Sequence, residues 1–363
     1  MVCCRVYHSL GERDKGWRSM DSKIPHIPKT LHESNLEEGA THILQHIRPE
    51  WSADKVQFKL FTDGITNKLM GCFHDDHPTD GVLVRVYGQQ TDLLINRANE
   101  IKNFKFLQKA GFAPKLYATF NNGIAYEFVS GETLSQDSCK HPSVYPLVAR
   151  TMAQFHKLSS DADSPKVPVL WKKFRQFLDL VPETYDSPDT QIRFEECFPN
   201  GKSKITNEVS SLESILKHEK NLPVVLCHND LLLANILVTG NNENVTFIDY
   251  EYADHNYQAF DIGNHFAEFA GVSQPDFSLY PDEEFQNKWL RCYLEAYLDT
   301  KVLDKDVDQL RDQVNKFACA AHLFWGVWAL VQAQLSTIDF DFILYAKNKY
   351  QAYLIMKEKY LCS

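Results

Sequence analysis

Polar and apolar positions follow a period of two in the first third of the chain and a helical period through most of the rest. Val56, Phe58 and Leu60 alternate with Gln57 and Lys59, as in a half-buried strand, and residues 69–73 resume an apolar run. Between them Thr62, Asp63, Gly64, Ile65, Thr66 and Asn67 form the tip of a predicted hairpin. Residues 82–88 read as another strand, with Arg85 the one charge in an apolar run. A helix predicted over 91–110 has Leu94, Ala98, Ile101, Phe104 and Leu107 on its apolar side, with Glu100 among them. Residues 115–120 and 124–129 are two short strands joined by Asn121-Asn122-Gly123, a strong hairpin sequence.

Beyond Gly131 the period changes to that of helices. Val144, Leu147, Val148, Met152 and Phe155 mark one, and residues 171–180, 206–218, 285–298, 307–335 and 342–361 mark others. One stretch interrupts them. An apolar run from Val224 ends in His228, Asn229 and Asp230, another begins at Asn235, and a third, from Val245 to Ile248, ends in Asp249. Two strands and a loop would bring these polar side chains together. Before Val56 the pattern is weak: residues 1–38 read as a mobile segment, followed by a short amphipathic helix at 40–47 and a buried Trp51. The division is then 1–38, a β-rich lobe over 39–130 and a helical lobe over 131–363, an α+β architecture.

The spacing His228-x-Asp230-x-x-x-x-Asn235, followed by Asp249 at the end of a strand, is what metal-assisted phosphoryl transfer needs: one carboxylate to receive a hydroxyl proton, an amide and a second carboxylate to hold Mg²⁺. Taken alone, a His and an Asp at a strand end also suit a turn. Arg85 in a buried strand requires a partner, and Glu100 on the next helix would supply one. Trp325 and Trp328 share a helical face, which by itself suits simple core packing. Asp63-Gly64 by itself suits a plain β-turn.

Charge and cysteine content narrow the classes. The 363 residues carry 38 basic and 48 acidic side chains, a net charge of −10, which disfavours nucleic acid as a partner. Nine scattered cysteines without metal-type spacing read as reduced thiols, and no apolar run approaches the ~20 residues that cross a bilayer. The expectation is a cytoplasmic protein with no stable membrane insertion, its oligomeric state open to a homodimer.

His228-Asn229-Asp230, then Ile248-Asp249-Tyr250-Glu251-Tyr252, then Asp261-Ile262-Gly263-Asn264-His265-Phe266 resemble the choline/ethanolamine kinase family, a small-molecule branch of the protein-kinase-like fold. The resemblance runs from about Val56 to the C-terminus, and Glu268-Phe269-Ala270-Gly271-Val272-Ser273 with Ser278-Leu279-Tyr280-Pro281-Asp282 are similar to its ethanolamine-kinase branch. It implies a bilobal kinase fold and ATP and Mg²⁺ as cofactors. Asp63, Gly64, Thr66 and Asn67 would lie over the phosphates, Arg85 and Glu100 would orient them, and the backbone from Glu127 to Val129 would meet the adenine. Asp230 would be the base, with Asn235 and Asp249 as metal ligands. Tyr252, Glu268, Trp325, Trp328 and Tyr345 would line the amino-alcohol pocket. His228 would brace the loop, as would Asp261 by capping a helix that begins at Ile262.

Choline kinases place a further aromatic where this chain has Ser273, so the resemblance favours ethanolamine as the small-molecule substrate, in the first step of the CDP-ethanolamine route. Choline kinase or a dual activity is the alternative, and a silent nucleotide-binding scaffold is the alternative of another class. Protein kinase activity is disfavoured because neither Asp-Phe-Gly nor Ala-Pro-Glu follows Asp249.

Overall fold

The computed structural model describes residues 24–61, 67–159, 166–240 and 243–362. The chain opens with β1 (His26–Ile27) and α1 (Leu36–Ile47). Strands β2 (Val56–Phe61), β3 (Asn67–His74) and β4 (His77–Tyr87) follow, then α2 (Arg97–Lys109), β5 (Leu116–Phe120) and β6 (Gly123–Glu127). These strands form one sheet in the order β1-β5-β6-β4-β3-β2, antiparallel except for the β1–β5 pair. The tip of the β2–β3 hairpin, with Asp63, Gly64 and Thr66, lies outside the described residues.

Strand periodicity explains what the sheet does for the cleft. Val82, Val84 and Val86 of β4 share a core with Leu36, Ala40, Ile43 and Leu44 of α1. Alternation then sends Arg85 to the opposite face, toward α2. The segment expected to be mobile through residue 38 is instead built in from Ile24 onward. β1 adds to the edge of β5, Leu31 and Leu36 are buried, and α1 starts at Leu36. Apolar residues spaced too widely for periodicity fill one face of the sheet. The second helix begins later than expected, at Arg97, because Asn96 caps it through the Asn99 amide.

After Glu127 the chain crosses to the second lobe. β7 (Glu132–Thr133) leads into α3 (Tyr145–His156), α4 (Leu170–Leu180), α5 (Pro188–Cys197) and α6 (Gly201–Leu216). Then come β8 (Val224–Cys227), β9 (Ile236–Thr239), β10 (Asn244–Phe247) and β11 (Asp254–Tyr257). Helices α7 (Gln258–Ala267), α8 (Glu283–Leu298), α9 (Asp304–Leu335) and α10 (Phe342–Tyr360) complete the chain. β9 pairs with β10 and with β7, whereas β8 pairs with β11, all antiparallel.

The axis of this lobe is α9, buried at almost every position from Phe317 to Gln332. By length and composition α9 is apolar enough to cross a membrane, contrary to the expectation that no segment of the chain is. Its apolar window is 94% buried inside the protein, as in a core helix. Gly263 lets α7 approach it closely: a Cβ there would lie 2.7 Å from the Val314 carbonyl oxygen and 2.8 Å from the Ala318 nitrogen.

Candidate active site

The loop after β8 is held by an acid from the next helix. β11 pairs with β8 and runs directly into α7, so Asp261, in the first turn of α7, comes under the end of β8. Its carboxylate accepts the backbone N–H of His228 at 2.8 Å and of Asn229 at 2.7 Å, and His156 donates to it from Nε2 at 2.9 Å. Burial alone would raise the pKa of Asp261, but the hydrogen bond and charge of His156 hold it below the usual range. This corrects the expectation that Asp261 caps a helix starting at Ile262. The helix starts at Gln258, and the carboxylate serves the amides of another segment.

His228 braces the loop as expected, donating from Nε2 to the Ile248 carbonyl at 2.9 Å. Asn229 takes the left-handed conformation, φ 66°, which Asn tolerates better than most residues. Its amide donates to the Tyr252 carbonyl at 2.9 Å and accepts from Asn256 at 2.8 Å, which fixes the turn.

Asn235 and Asp249 meet across the β9–β10 hairpin. The Ile248 N–H donates to the Asn235 carbonyl at 3.0 Å, and the Asn235 side-chain amide donates to the Asp230 carbonyl at 2.8 Å. Asp249, φ 65°, is about a third exposed and gives one oxygen to Arg85 at 2.7 Å. An amide oxygen and a carboxylate are hard ligands of the kind Mg²⁺ takes, so the chemistry of this donor pair fits that ion.

Arg85 ties the two lobes together. Its guanidinium contacts Asp249, Glu251 and, at 3.6 Å, Glu100. Burial would strip its proton; the three acids, Asp249 first, more than offset that and hold it charged. The Arg85–Glu100 pair is therefore present but loose. Arg97 is the closer partner of Glu100, at 2.9 Å, reaches Glu251 at 3.1 Å, and stacks 3.7 Å from the Tyr87 ring centroid. Asn67 also donates to Glu251, at 3.1 Å. Glu251 is thus the hub of the interlobe network.

The chain from Asp249 to Tyr252 carries the cleft into the helical lobe. Asp249 and Glu251 face Arg85, Tyr250 is anchored by its hydroxyl to the Phe112 carbonyl at 2.7 Å, and the Tyr252 hydroxyl accepts the Trp328 indole N–H at 2.8 Å. Trp325 donates to Asn264 at 2.7 Å and packs edge-on against Tyr252 at 5.3 Å and Trp328 at 5.5 Å. Trp325, Trp328, Tyr252 and Tyr345 are all buried, and hydrogen bonds fix the first three rings. Glu268, buried at the end of α7, receives Lys349 from α10. Asp230 lies between the two groups. Burial first, then the charges of Asp249, Glu268 and Glu251, push its pKa well above the usual carboxylate range, and Lys349 opposes them.

The backbone at Glu127 and Val129 forms the crossing between lobes. The Glu127 side chain is exposed and accepts the Lys115 N–H at 3.2 Å, while Phe128 packs against Phe61 and Phe73 of the sheet. Among the expected residues, Asp230, Asn235, Asp249, Arg85, Glu100, Asn67, Tyr252, Glu268, Trp325, Trp328 and Tyr345 fall in one connected region. Arg97, Asn229, Glu251, Asn264 and Lys349 were missed. Arg97 is three residues before Glu100 and Lys349 four after Tyr345, so helical spacing could have found both.

A profile of the family described as choline/ethanolamine kinase matches residues 58–354. Ethanolamine kinase 1 of Homo sapiens is 46% identical over 344 residues, covering 92% of this chain and 76% of that protein. Ethanolamine kinase 2 of Mus musculus is 44% identical over 335 residues, covering 92% of this chain and 85% of its own. Among solved structures, the ethanolamine kinase of Plasmodium vivax superposes with a TM-score of 0.78 at 28% identity, covering 90% of this chain and 91% of that one.

Proposed function

The chain belongs to the choline/ethanolamine kinase family, and from that premise we propose that it transfers the γ-phosphoryl group of ATP to the hydroxyl of ethanolamine, giving phosphoethanolamine for phospholipid synthesis. The relatives named above as ethanolamine kinases support this acceptor. The observation that carries the reading is the four-residue run Asp249–Tyr252, which joins the acids around Arg85 to the ring cluster around Trp328.

In this reading Asp230 orients the acceptor hydroxyl and takes its proton late, as suits a loose transition state dominated by positioning and charge. Asn235 and Asp249 hold Mg²⁺, which when bound neutralises charge on the phosphates. Arg85 and Asn67 stand on the nucleotide side, with Arg85 offering a planar fork that can turn from Asp249 toward phosphate oxygens. Glu268 draws the ammonium of the acceptor, and Trp325, Trp328, Tyr252 and Tyr345 enclose it with ring faces worth on the order of 0.5–2 kcal/mol each.

A coupled assay of the purified chain with ATP, Mg²⁺ and a panel of small alcohols tests this. ADP release is expected with ethanolamine and more weakly with choline. Asp230→Ala should lower kcat by about 10²- to 10⁴-fold while the fold survives, since it removes only the proton acceptor. Near-normal turnover of that variant would end the assignment.

A further inference from the structure

Among the described residues, Glu268 has a partner for one of its two oxygens. Lys349, on α10 one turn after Tyr345, donates from Nζ to Glu268 Oε1 at 2.5 Å, and both side chains are almost completely buried, 1% and 3% exposed. The other oxygen, Oε2, is shut away from solvent and accepts no hydrogen bond from any described residue. A carboxylate buried this deeply stays ionised only beside a cation. A pair serving merely to clamp α10 to the end of α7 would gain from satisfying both oxygens, because an orphaned buried acceptor costs stability.

We propose that Lys349 is a positioning residue for the acceptor substrate: it fixes Glu268 through Oε1 and leaves Oε2 to receive the ammonium of the incoming amino alcohol. The inference rests on the acceptor proposed above and adds the group that prepares its site. The Lys349 ammonium also lies 5.4 Å from the Tyr345 ring centroid, which places the pair at the wall of the ring cluster.

The local charges agree with this. On the acceptor side two acids, Asp230 and Glu268, stand against one built-in cation, Lys349. His322 of α9 is kept neutral by burial and then by the charge of Lys349, and the Tyr345 and Tyr252 hydroxyls are held protonated, first by burial. A primary ammonium brings three N–H donors, one of which Oε2 can take, whereas a quaternary ammonium brings none.

The test is steady-state kinetics of the full chain with ethanolamine and Mg·ATP for Lys349→Gln and Lys349→Arg. The Gln variant is expected to raise the KM for ethanolamine by about tenfold or more, with the KM for ATP within about twofold of wild type. The Arg variant, which keeps the cation, should hold the ethanolamine KM within about threefold. Unchanged KM values in the Gln variant, or an Arg variant as impaired as Gln, would overturn the proposal. If the Gln variant does not fold, Lys349→Met, an uncharged side chain of similar length that leaves Glu268 in place, replaces it. A rise in the ethanolamine KM of about tenfold or more is again expected, and an unchanged KM in this variant would overturn the proposal. A wild-type chain that turned over no amino alcohol would overturn the substrate reading and this inference with it, whereas normal wild-type turnover with unaltered variants would overturn only the role of Lys349.

Discussion

Asp261 illustrates how a single buried acid can set the geometry of a site it never enters. It is fully buried and accepts two backbone amides and a histidine N–H. Because its folded pKa is depressed below that of the unfolded chain, its contribution to stability is present above the ordinary carboxylate range and is lost as pH falls through the folded value. Asp261→Asn removes the charge and one of the acceptors. It is expected to cost about 1–3 kcal/mol at neutral pH and to flatten the acid side of the stability profile, both measurable by denaturant melts at several pH values. A variant as stable as wild type, with the same acid limb, would contradict this role. The residue was visible in the chain as part of a specific string, but its role was misread. A carboxylate near a helix start looks like a cap, and only the β8–β11 pairing reveals that it faces another segment. Glu251 escaped for a similar reason. Its position two residues from Asp249 places it on the same side of the run, yet nothing local says that two arginines and Asn67 converge on it.

Elements with a clear period were legible, and those held by context were not. The strands at 56–61 and 82–87 and the helices at 170–180, 304–335 and 342–360 announce themselves through alternation or helical spacing. Helix α5 does not: Ser187 and Pro188 form a sound start, but Phe194 is its one buried residue, which leaves no apolar stripe. β11, Asp254-His255-Asn256-Tyr257, has no strand character of its own and exists because β8 offers an edge. The approach of α7 to α9 is likewise invisible until both are placed. Gly263→Ala would drive a methyl group into backbone at Val314 and Ala318, which cannot yield as a side chain would. We expect a loss of about 1–3 kcal/mol in a thermal melt and a lowered kcat, because Asn264, the next residue, fixes the Trp325 indole. A variant with wild-type melting and turnover would show that the helices have room to spare.

At the scale of the whole molecule, the two lobes meet through buried charge. Arg85 and Arg97 from the sheet lobe face Asp249 and Glu251 from the helical lobe, with Glu100 between them. Replacing Arg85 by Met leaves acids without their main counter-charge, and breaking such a pair typically costs about 3–5 kcal/mol. Arg85→Met should therefore lower the melting temperature and, because the cation proposed to face the phosphates is gone, reduce kcat by about 10²- to 10³-fold. Paired denaturation and rate measurements check both; loss of stability with full activity would remove Arg85 from the chemistry. The bilobal α+β plan was readable from the change of period near Gly131, whereas the packing of residues 24–38 onto the sheet was not, since two-residue β1 and isolated Leu31 leave no pattern.

Phosphorus NMR of ATP, Mg²⁺ and ethanolamine with the purified chain tests most directly whether Asp230 serves as the base between Asn235 and Asp249, the proposed metal ligands, and the ring cluster proposed to take the ammonium. The account predicts a phosphomonoester signal growing in step with ADP, and its disappearance in Asp230→Ala. ATP consumed only to free phosphate, or phosphoester formed at an undiminished rate by that variant, would contradict it.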